Sequence, residues 1–206
     1  MRLNLNLKNK YDLKINGIIL IGAHYGNEYN DFLETDVKNV VMFEPLKNNF
    51  SVLSKNIIDQ NVVLINKALG NENKKITMFV ETANKGMSSS ILEPKLHINQ
   101  YPHIVFNERE EIDMVRLDDV GLDMNKYNFI LIDVQGYEME VFKGAEETLK
   151  NIDYIITEIN NVELYKDCVM FSNLVSYLSN FGFVLMEEDA HGATWGDALF
   201  IKRKYD

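Results

Sequence analysis

The sequence has few of the residues that mark secreted, zinc-binding or nucleic-acid-binding proteins. It contains one cysteine, Cys168, so no disulfide can form within the chain, and its four histidines have spacings that match no zinc signature. Basic residues number 21 against 31 acidic ones, which gives a formal net charge of −10. This charge opposes attraction to nucleic acid or to an anionic membrane. We therefore expect a cytoplasmic protein with neither as a partner.

Long apolar runs are also missing. No stretch approaches the roughly 18 apolar residues of a membrane span, and residues 1–14 lack the apolar centre of a signal peptide. The chain of 206 residues, 46% of them hydrophobic, is long enough for one sizeable core. We expect a single domain over residues 1–206. Within an N-terminal extension at 1–17, residues 11–15 are expected to form a short edge strand or a cap on the sheet.

The apolar residues instead occur in short runs, many of which are rich in β-branched side chains. These runs alternate with amphipathic stretches. Unbroken runs of this kind are typical of strands buried on both faces of a parallel sheet. Helical spacing of apolar residues follows several of them. The pattern predicts an α/β fold with core strands near 18–21, 40–43, 62–66, 129–132 and 154–157, further strands at 76–81 and 112–117, an antiparallel final pair at 183–186 and 198–201 with a loop at 187–197 between them, and helices at 27–34, 46–57, 138–150 and 167–180.

The turn after the first strand contains two glycines, Gly22 and Gly26, immediately before the predicted helix at 27–34. Glycine permits a sharp turn and lets a ligand approach the backbone closely. The helix start would aim its free N–H groups at such a ligand. The dinucleotide fingerprint requires a third glycine, which this turn lacks, so the turn suits a ligand without phosphates.

An acid follows at the offset typical of nucleoside sites. Glu44 ends the second strand about 22 residues after Gly22, close to the ~20-residue spacing at which a carboxylate accepts from ribose hydroxyls. Pro45 then ends the strand. After the third strand, residues 66–68 are candidates for a base pocket, or an ordinary strand exit. Together these features predict an adenine-nucleoside pocket.

Two acids end neighbouring core strands, where ligands bind in open α/β sheets. Asp133 follows the run at 129–132, and Glu158 follows the run at 154–157. The simple alternative is that both are solvated. His24 is a competing base, or else a turn residue that makes a backbone hydrogen bond.

Polar and aromatic residues outside the core strands are candidates for contact with a second ligand. The serine run in the long segment 82–111 offers hydroxyls for a polyol or a carboxylate, or is a flexible turn. Trp195 offers an aromatic face for a sugar, or packs the final hairpin. The candidates are Ser89, Ser90, Gln135, Asn160, Tyr165 and Trp195.

Ten segments of the sequence resemble the FkbM-type methyltransferases, and they run in order over nearly the whole chain after residue 17. The resemblance implies a Rossmann-like class I fold that binds S-adenosylmethionine (SAM), with a mostly parallel seven-stranded sheet, an antiparallel last strand and helices on both faces. Many family members have Asp, Asn and Glu where this chain has Ile21, His24 and Gln135. The segments are IGAHYG, VVMFEP, INKALGN, GMSSSILEP, VRLDDV, FILIDVQGYEMEVFKGAEETL, YIITEIN, ELY, GFVLMEE and TWGDALFIK.

The resemblance also assigns roles to residues. Gly22, Ala23 and Gly26 would face the methionine part of SAM, and Glu44 the ribose. The full set of cofactor candidates is Gly22, Ala23, His24, Gly26, Glu44, Pro45, Lys67, Ala68 and Asp133.

The sequence thus predicts an O-methyltransferase that acts on a hydroxyl of a small-molecule, sugar or glycan-like acceptor. Asp133 or Glu158 would take the hydroxyl proton, or Asp133 would help to hold a divalent cation that acidifies it. An NAD-dependent oxidoreductase and a non-catalytic nucleoside-binding module are the alternatives. The sequence does not indicate an oligomeric state.

Overall fold

The computed structural model describes residues 5–203, which form one seven-stranded and one three-stranded sheet. The large sheet has the strand order β3-β2-β1-β7-β8-β10-β9, and the small one β4-β6-β5. The strands are β1 Gly17–Ile21, β2 Asn39–Phe43, β3 Val62–Ile65, β4 Ala68–Leu69, β5 Lys74–Val80, β6 Glu108–Val115, β7 Phe129–Ile132, β8 Tyr154–Asn160, β9 Phe183–His191 and β10 Trp195–Lys202. The helices are α1 Leu5–Lys10, α2 Tyr29–Leu33, α3 Lys47–Asn56, α4 His97–Gln100, α5 Glu138–Lys143, α6 Glu146–Leu149 and α7 Phe171–Ser179, with a 3-10 turn at Leu117–Asp119.

The centre of the large sheet is parallel. β1 pairs in parallel with β2 and β7, β2 with β3, and β7 with β8, whereas β10 runs antiparallel between β8 and β9. The predicted fold class is therefore confirmed. Strand order reverses between β1 and β7, so the carboxyl ends of these two strands flank the crevice where ligands bind in open α/β sheets.

Helices cover both faces of this sheet. Alternate residues of β1 point to opposite sides, so Ile19 packs in one core cluster with Phe142 of α5, and Leu20 packs in another with Leu53 of α3. All five residues of β1 are buried. A strand buried on both faces explains the unbroken apolar run in the sequence.

The small sheet lies outside the main one. β5 pairs antiparallel with β6, and β4 pairs with β6 in parallel. Its cluster includes Leu46, Ala68 and Met78, which also border the crevice beside β1. The strands predicted near 76–81 and 112–117 thus exist, and they build a side wall of that crevice.

Several boundaries differ from the sequence prediction. The helix expected at 138–150 is two helices, because the chain turns at Gly144, where a Cβ would stand 1.8 Å from the carbonyl oxygen of Gly70. The loop expected at 187–197 is mostly strand, since β9 extends to His191 and β10 begins at Trp195. The helices expected at 27–34 and 167–180 are shorter, as α2 and α7.

In the described part of the N-terminal extension, from residue 5, the chain forms the helix α1 and no edge strand. Residues 11–15 form a turn and an irregular segment, so the expectation of a strand there is wrong. Leu13 is buried in the core cluster on the α3 side of the sheet, which fits the alternative of a cap. Within residues 5–203, every helix is too short or too polar to cross a bilayer.

Candidate active site

A cleft opens where the carboxyl ends of β1, β2 and β7 meet, and we call it the switch-point cleft. The space between its walls is about 580 Å³, part of which is open to solvent. Its walls include most of the residues that the sequence selected for a cofactor. These are Gly22, His24, Glu44, Pro45, Lys67, Ala68 and Asp133, joined by Ser89 and Gln135 from the acceptor set.

Gly22 allows the ends of β1 and β7 to lie close together at this cleft. A Cβ on Gly22 would stand 1.9 Å from the carbonyl oxygen of Asp133, and its φ of +85° is in the left-handed region. Its N–H donates to the carbonyl oxygen of Phe43 at 3.0 Å. A larger residue at this position would therefore push Asp133, which follows β7, away from the turn after β1.

Ala23 and Gly26, the other two turn residues that the resemblance places against the methionine part of SAM, have packing contacts. Ala23 is fully buried in the same core cluster as Leu53. Gly26 has a φ of +77°, and a Cβ there would stand 2.7 Å from Leu53 Cδ1 and 3.1 Å from Ile57 Cγ1. Both residues set how the turn packs on α3. Neither borders the switch-point cleft, so their contact with a cofactor stays a prediction.

Glu44 is a buried carboxyl group fixed in the wall of the cleft. Its Oε2 accepts from the backbone N–H of His24 at 2.8 Å, and its Oε1 accepts from that of Leu46 at 2.9 Å. Burial raises the pKa of Glu44 to about 7, although these hydrogen bonds and one from Asn49 favour the charged form. Each carboxylate oxygen can accept more than one hydrogen bond, so capacity remains for ligand hydroxyls.

His24 takes the geometry of a turn residue. Its φ is +48°, its Nε2 lies 2.9 Å from the carbonyl oxygen of Lys85, and its ring stacks on Tyr25 with 3.9 Å between centroids. Burial lowers the pKa of His24. This arrangement favours the turn alternative over the role of a base.

A loop held by Glu81 borders the cleft, and sequence reasoning selected serines of this segment but missed Glu81. The Glu81 side chain is buried, and its carboxylate accepts from the backbone N–H groups of Ala83, Asn84 and Gly86. Gly86, Met87 and Ser89 of the same loop border the cleft. The signal in the sequence was a glutamate three residues before the start of an Asn-Lys-Gly turn, where a carboxylate can accept from several N–H groups at once.

A second cavity of about 1010 Å³ lies beyond Asp133, and we call it the aromatic cavity. It shares Met87, Asp133 and Gln135 with the switch-point cleft. The two cavities therefore meet at these residues. The walls of the aromatic cavity also contain Asn84, Ser88, His97, Tyr101, His103, Ile104, Glu158, Leu164 and Trp195.

Trp195 is a half-buried wall of this cavity. Its Nε1 donates to the Tyr101 hydroxyl at 2.9 Å, and its ring lies 4.7 Å from that of His191. The hydrogen bond links α4 to the final hairpin and fixes the indole plane. Trp195 thus packs the hairpin and also presents an aromatic face to the cavity, so the two alternatives are compatible.

Gln135 connects the residues at the junction of the two cavities. Its Nε2 donates to Asp133 Oδ1 at 2.7 Å and to Glu158 Oε2 at 3.0 Å, and its Oε1 accepts from the Tyr165 hydroxyl at 2.7 Å. Ser90 Oγ donates to the Gln135 carbonyl oxygen at 2.7 Å. Five residues that the sequence selected separately therefore form one hydrogen-bonded group.

The carboxyl groups of this region are crowded. Glu158 is buried within β8, not exposed at its end, and burial together with the charges of Asp133, Glu138 and Asp197 raises its pKa well above the usual value. Glu158 is thereby driven toward its protonated form.

Glu138 was missed as a site residue. It is fully buried, and its Oε1 accepts from the N–H groups of Val134 at 3.2 Å and Gly136 at 3.1 Å. Burial raises its pKa to about 7. The glutamate at the start of α5 thus holds the turn that carries Asp133 and Gln135.

Asn160 lies near the aromatic cavity but does not border it. It pairs with Trp195 across β8 and β10, its side chain is buried, and neither amide atom has a hydrogen-bond partner among the described residues. Its contact with an acceptor stays a prediction. In the same part of the chain, 5–203, no group of three or more His, Cys, Asp or Glu side chains is placed to hold a metal ion.

Known proteins share both the sequence pattern and the fold. Residues 21–185 match the family model of the methyltransferase FkbM domain. The 2-O-methyltransferase NoeI of Sinorhizobium fredii (strain NBRC 101917 / NGR234) is 28% identical over 179 residues, which cover 81% of this chain and 72% of that protein.

Solved structures with the same fold include magnesium protoporphyrin IX methyltransferase (ChlM) from Synechocystis PCC 6803 with bound SAM. It has a TM-score of 0.54 and 7% identity, and the match covers 97% of this chain and 75% of that one. TrmK from M. capricolum, in complex with S-adenosyl-homocysteine, has a TM-score of 0.51 and 12% identity, with 98% and 70% covered. These likenesses show the class I methyltransferase fold. Because the family model spans more than half of its residues, the chain belongs to the FkbM family of methyltransferases.

Proposed function

We propose that the protein is a SAM-dependent O-methyltransferase that binds SAM in the switch-point cleft and its acceptor in the aromatic cavity. The observation that carries this proposal is the wall shared by the two cavities at Asp133 and Gln135. A methyl group offered from one side and a hydroxyl from the other would meet beside these residues. Holding two reactants in contact supplies much of the rate enhancement in a displacement reaction.

The residues of the cleft suit a nucleoside. Glu44 offers carboxylate oxygens for ribose hydroxyls, and Met78 and Ile91 offer apolar surface for a base. Gly22 leaves room beside the Asp133 carbonyl that a side chain would fill. When bound, SAM would supply a sulfonium methyl group whose carbon an acceptor oxygen attacks in line, with S-adenosyl-homocysteine as the leaving group.

The protein must also manage the hydroxyl proton. Asp133 lies at the junction of the cavities and is the residue that would accept it. Glu158 is driven toward its protonated form by burial and neighbouring charge, which makes it a poor base at neutral pH. We therefore assign the base to Asp133 and a holding role to Glu158.

The walls of the aromatic cavity favour a neutral, sugar-like acceptor. Tyr101 and Trp195 offer faces for the apolar C–H surface of a sugar ring. The wall also contains Asp133, and no lysine or arginine of residues 5–203 lines it. Phosphate groups, and nucleic acid with them, would be repelled. The similarity to a 2-O-methyltransferase supports a hydroxyl as the acceptor group.

Calorimetric titration with SAM and, separately, with NAD tests the cofactor. We expect SAM alone to bind, and Glu44→Ala to weaken it by about 1.5–3 kcal/mol, the range for a lost hydrogen bond to a charged group. Glu72→Ala is the matched control, because Glu72 is exposed and outside the cleft. Binding of NAD instead, or equal affinities for the two variants, would contradict the proposal. If neither ligand binds, the nucleoside pocket is contradicted and a scaffold role without catalysis takes its place.

Two acceptors with the same sugar ring can then be compared. Methyl glucoside and methyl glucuronide differ in one carboxylate, so their methylation at equal concentration, followed by mass spectrometry, tests the preference for neutral acceptors. We expect the neutral glycoside to be preferred. Faster transfer to the glucuronide would contradict the assignment of the aromatic cavity.

A further inference from the structure

The amide of Gln135 contacts two carboxyl groups, which also lie within hydrogen-bonding reach of each other. Its Nε2 lies 2.7 Å from Asp133 Oδ1 and 3.0 Å from Glu158 Oε2, and one N–H is available for each. The opposite orientation of the amide would place its oxygen against Asp133 Oδ1, which is also an acceptor. The Tyr165 hydroxyl, whose pKa burial raises well above the usual value, keeps its hydrogen, which lies between Gln135 Oε1 at 2.7 Å and the Ser88 carbonyl oxygen at 2.9 Å. The chemistry of the neighbours thus fixes which end of the amide faces the acids.

The backbone around Gln135 holds this orientation. Its φ of +55° lies in the left-handed region, and Ser90 Oγ donates to its carbonyl oxygen. The buried Glu138 accepts from the N–H groups on either side of Gln135. At Gly136, a Cβ would stand 2.8 Å from Cys168 Cβ, so the turn is packed closely on the segment after β8.

A divalent cation does not fit this arrangement. Mg²⁺ and Mn²⁺ take six oxygen ligands in octahedral geometry, whereas here a nitrogen with two hydrogens faces both carboxyl groups. Among residues 5–203 no third acid or histidine completes a metal-binding group with them. The cation suggested at Asp133 from the sequence would have to displace the Gln135 amide.

We propose that Gln135 is a positioning residue whose amide takes the place of a divalent cation between Asp133 and Glu158, so that methyl transfer at this site needs no metal. The part that concerns methyl transfer rests on the proposed function; the part that concerns the carboxyl groups rests on the hydrogen bonds alone. Replacing the amide by a carboxylate would bring three acids together. Gln135→Glu should therefore create a cation site that the natural protein lacks.

Binding of Mn²⁺, measured by electron paramagnetic resonance, tests the positioning role without SAM or acceptor. We expect no Mn²⁺ bound by the natural protein at concentrations where Gln135→Glu binds about one ion. Gln60→Glu is the matched control, because it adds the same charge at an exposed turn. It should bind no more Mn²⁺ than the natural protein, and Mn²⁺ should raise the melting temperature of Gln135→Glu only.

Two outcomes would overturn the proposal. One is Mn²⁺ binding by the natural protein that Asp133→Asn abolishes. The other is a folded Gln135→Glu that binds no more Mn²⁺ than Gln60→Glu. If Gln135→Glu does not fold, the natural protein and Asp133→Asn decide the question alone.

Turnover gives an independent readout. Once an acceptor is found, the rate should be the same before and after dialysis against EDTA. A tenfold loss that Mg²⁺ restores would contradict the proposal. Absence of SAM binding would defeat the proposed function and leave the Mn²⁺ result intact, so the two failures are distinguishable.

Discussion

The properties of the acidic side chains in this protein depend on where each is buried more than on residue type. Glu44, Glu138 and Glu158 are all buried glutamates with raised pKa values, yet one is held by two N–H groups beside the cleft, one holds a turn, and one meets Gln135. Sequence spacing placed Glu44 and Asp133 correctly after the ends of β2 and β7, whereas Glu158 lies within β8, which extends to Asn160. Spacing could not place the Gln135 amide, because that contact depends on a left-handed turn and on Tyr165, 30 residues away.

Gly22 gives the sharpest stability prediction for a single residue. Gly22→Ala should destabilise the protein by about 2–5 kcal/mol, the sum of left-handed strain and overpacking against the Asp133 carbonyl. Gly192→Ala is the matched control, since Gly192 has a φ of +83° but nothing within 4 Å of the added Cβ. Gly192→Ala should lose only the cost of the left-handed strain, about 1–2 kcal/mol of unfolding free energy. Equal losses in urea denaturation would contradict the close contact.

Elements buried on both faces were the easiest to predict. β1, β2 and β7 are continuous apolar runs because helices cover both sides of the sheet. The break between α5 and α6 was not predictable, since Gly144 has to be small only because Gly70 lies against it. Likewise, alternation of residues identified β5 and β6 as strands, but local pattern does not say which sheet a strand joins.

The loop at 82–86 offers a test of one element. Glu81→Ala removes the acceptor of three backbone N–H groups, so we expect amide exchange at Ala83, Asn84 and Gly86 to rise at least tenfold. SAM affinity should fall as well, because the loop borders the switch-point cleft. Glu93→Ala, in an exposed part of the neighbouring segment, is the control. Unchanged exchange in Glu81→Ala would show that the loop does not depend on this carboxylate.

For the whole molecule, buried carboxyl groups predict an unusual dependence of stability on pH. Glu44 and Glu138 have pKa values of about 7 in the folded protein and 4.5 as the ordinary value, so the folded state binds more protons between these limits. Each of these groups contributes on the order of 3 kcal/mol to the free energy of unfolding below pH ~4.5. This contribution is lost as the pH rises to ~7. Carboxyl groups with lowered pKa values, such as Glu111, favour the folded state as the pH rises, but they are fully exposed, so they oppose this loss of stability only weakly.

Urea denaturation at about pH 5 and about pH 8 checks this sign. We expect the free energy of unfolding to be lower at the higher pH. Glu44→Gln should flatten the dependence, because glutamine cannot titrate, whereas Glu72→Gln at the surface should leave it unchanged. A protein that gains stability between these two pH values would contradict the burial of these acids in their protonated form.

The wall common to the two cavities has a thermodynamic consequence. Asp133 and Gln135 belong to both, so under the proposed function a ligand that fixes their side chains from one side would change the free energy of binding on the other. Linkage makes such a coupling reciprocal: any factor by which the first ligand tightens the second is the factor by which the second tightens the first. The affinities of the two partners in the reaction are therefore one joint property of the junction, and neither belongs to its own cavity alone.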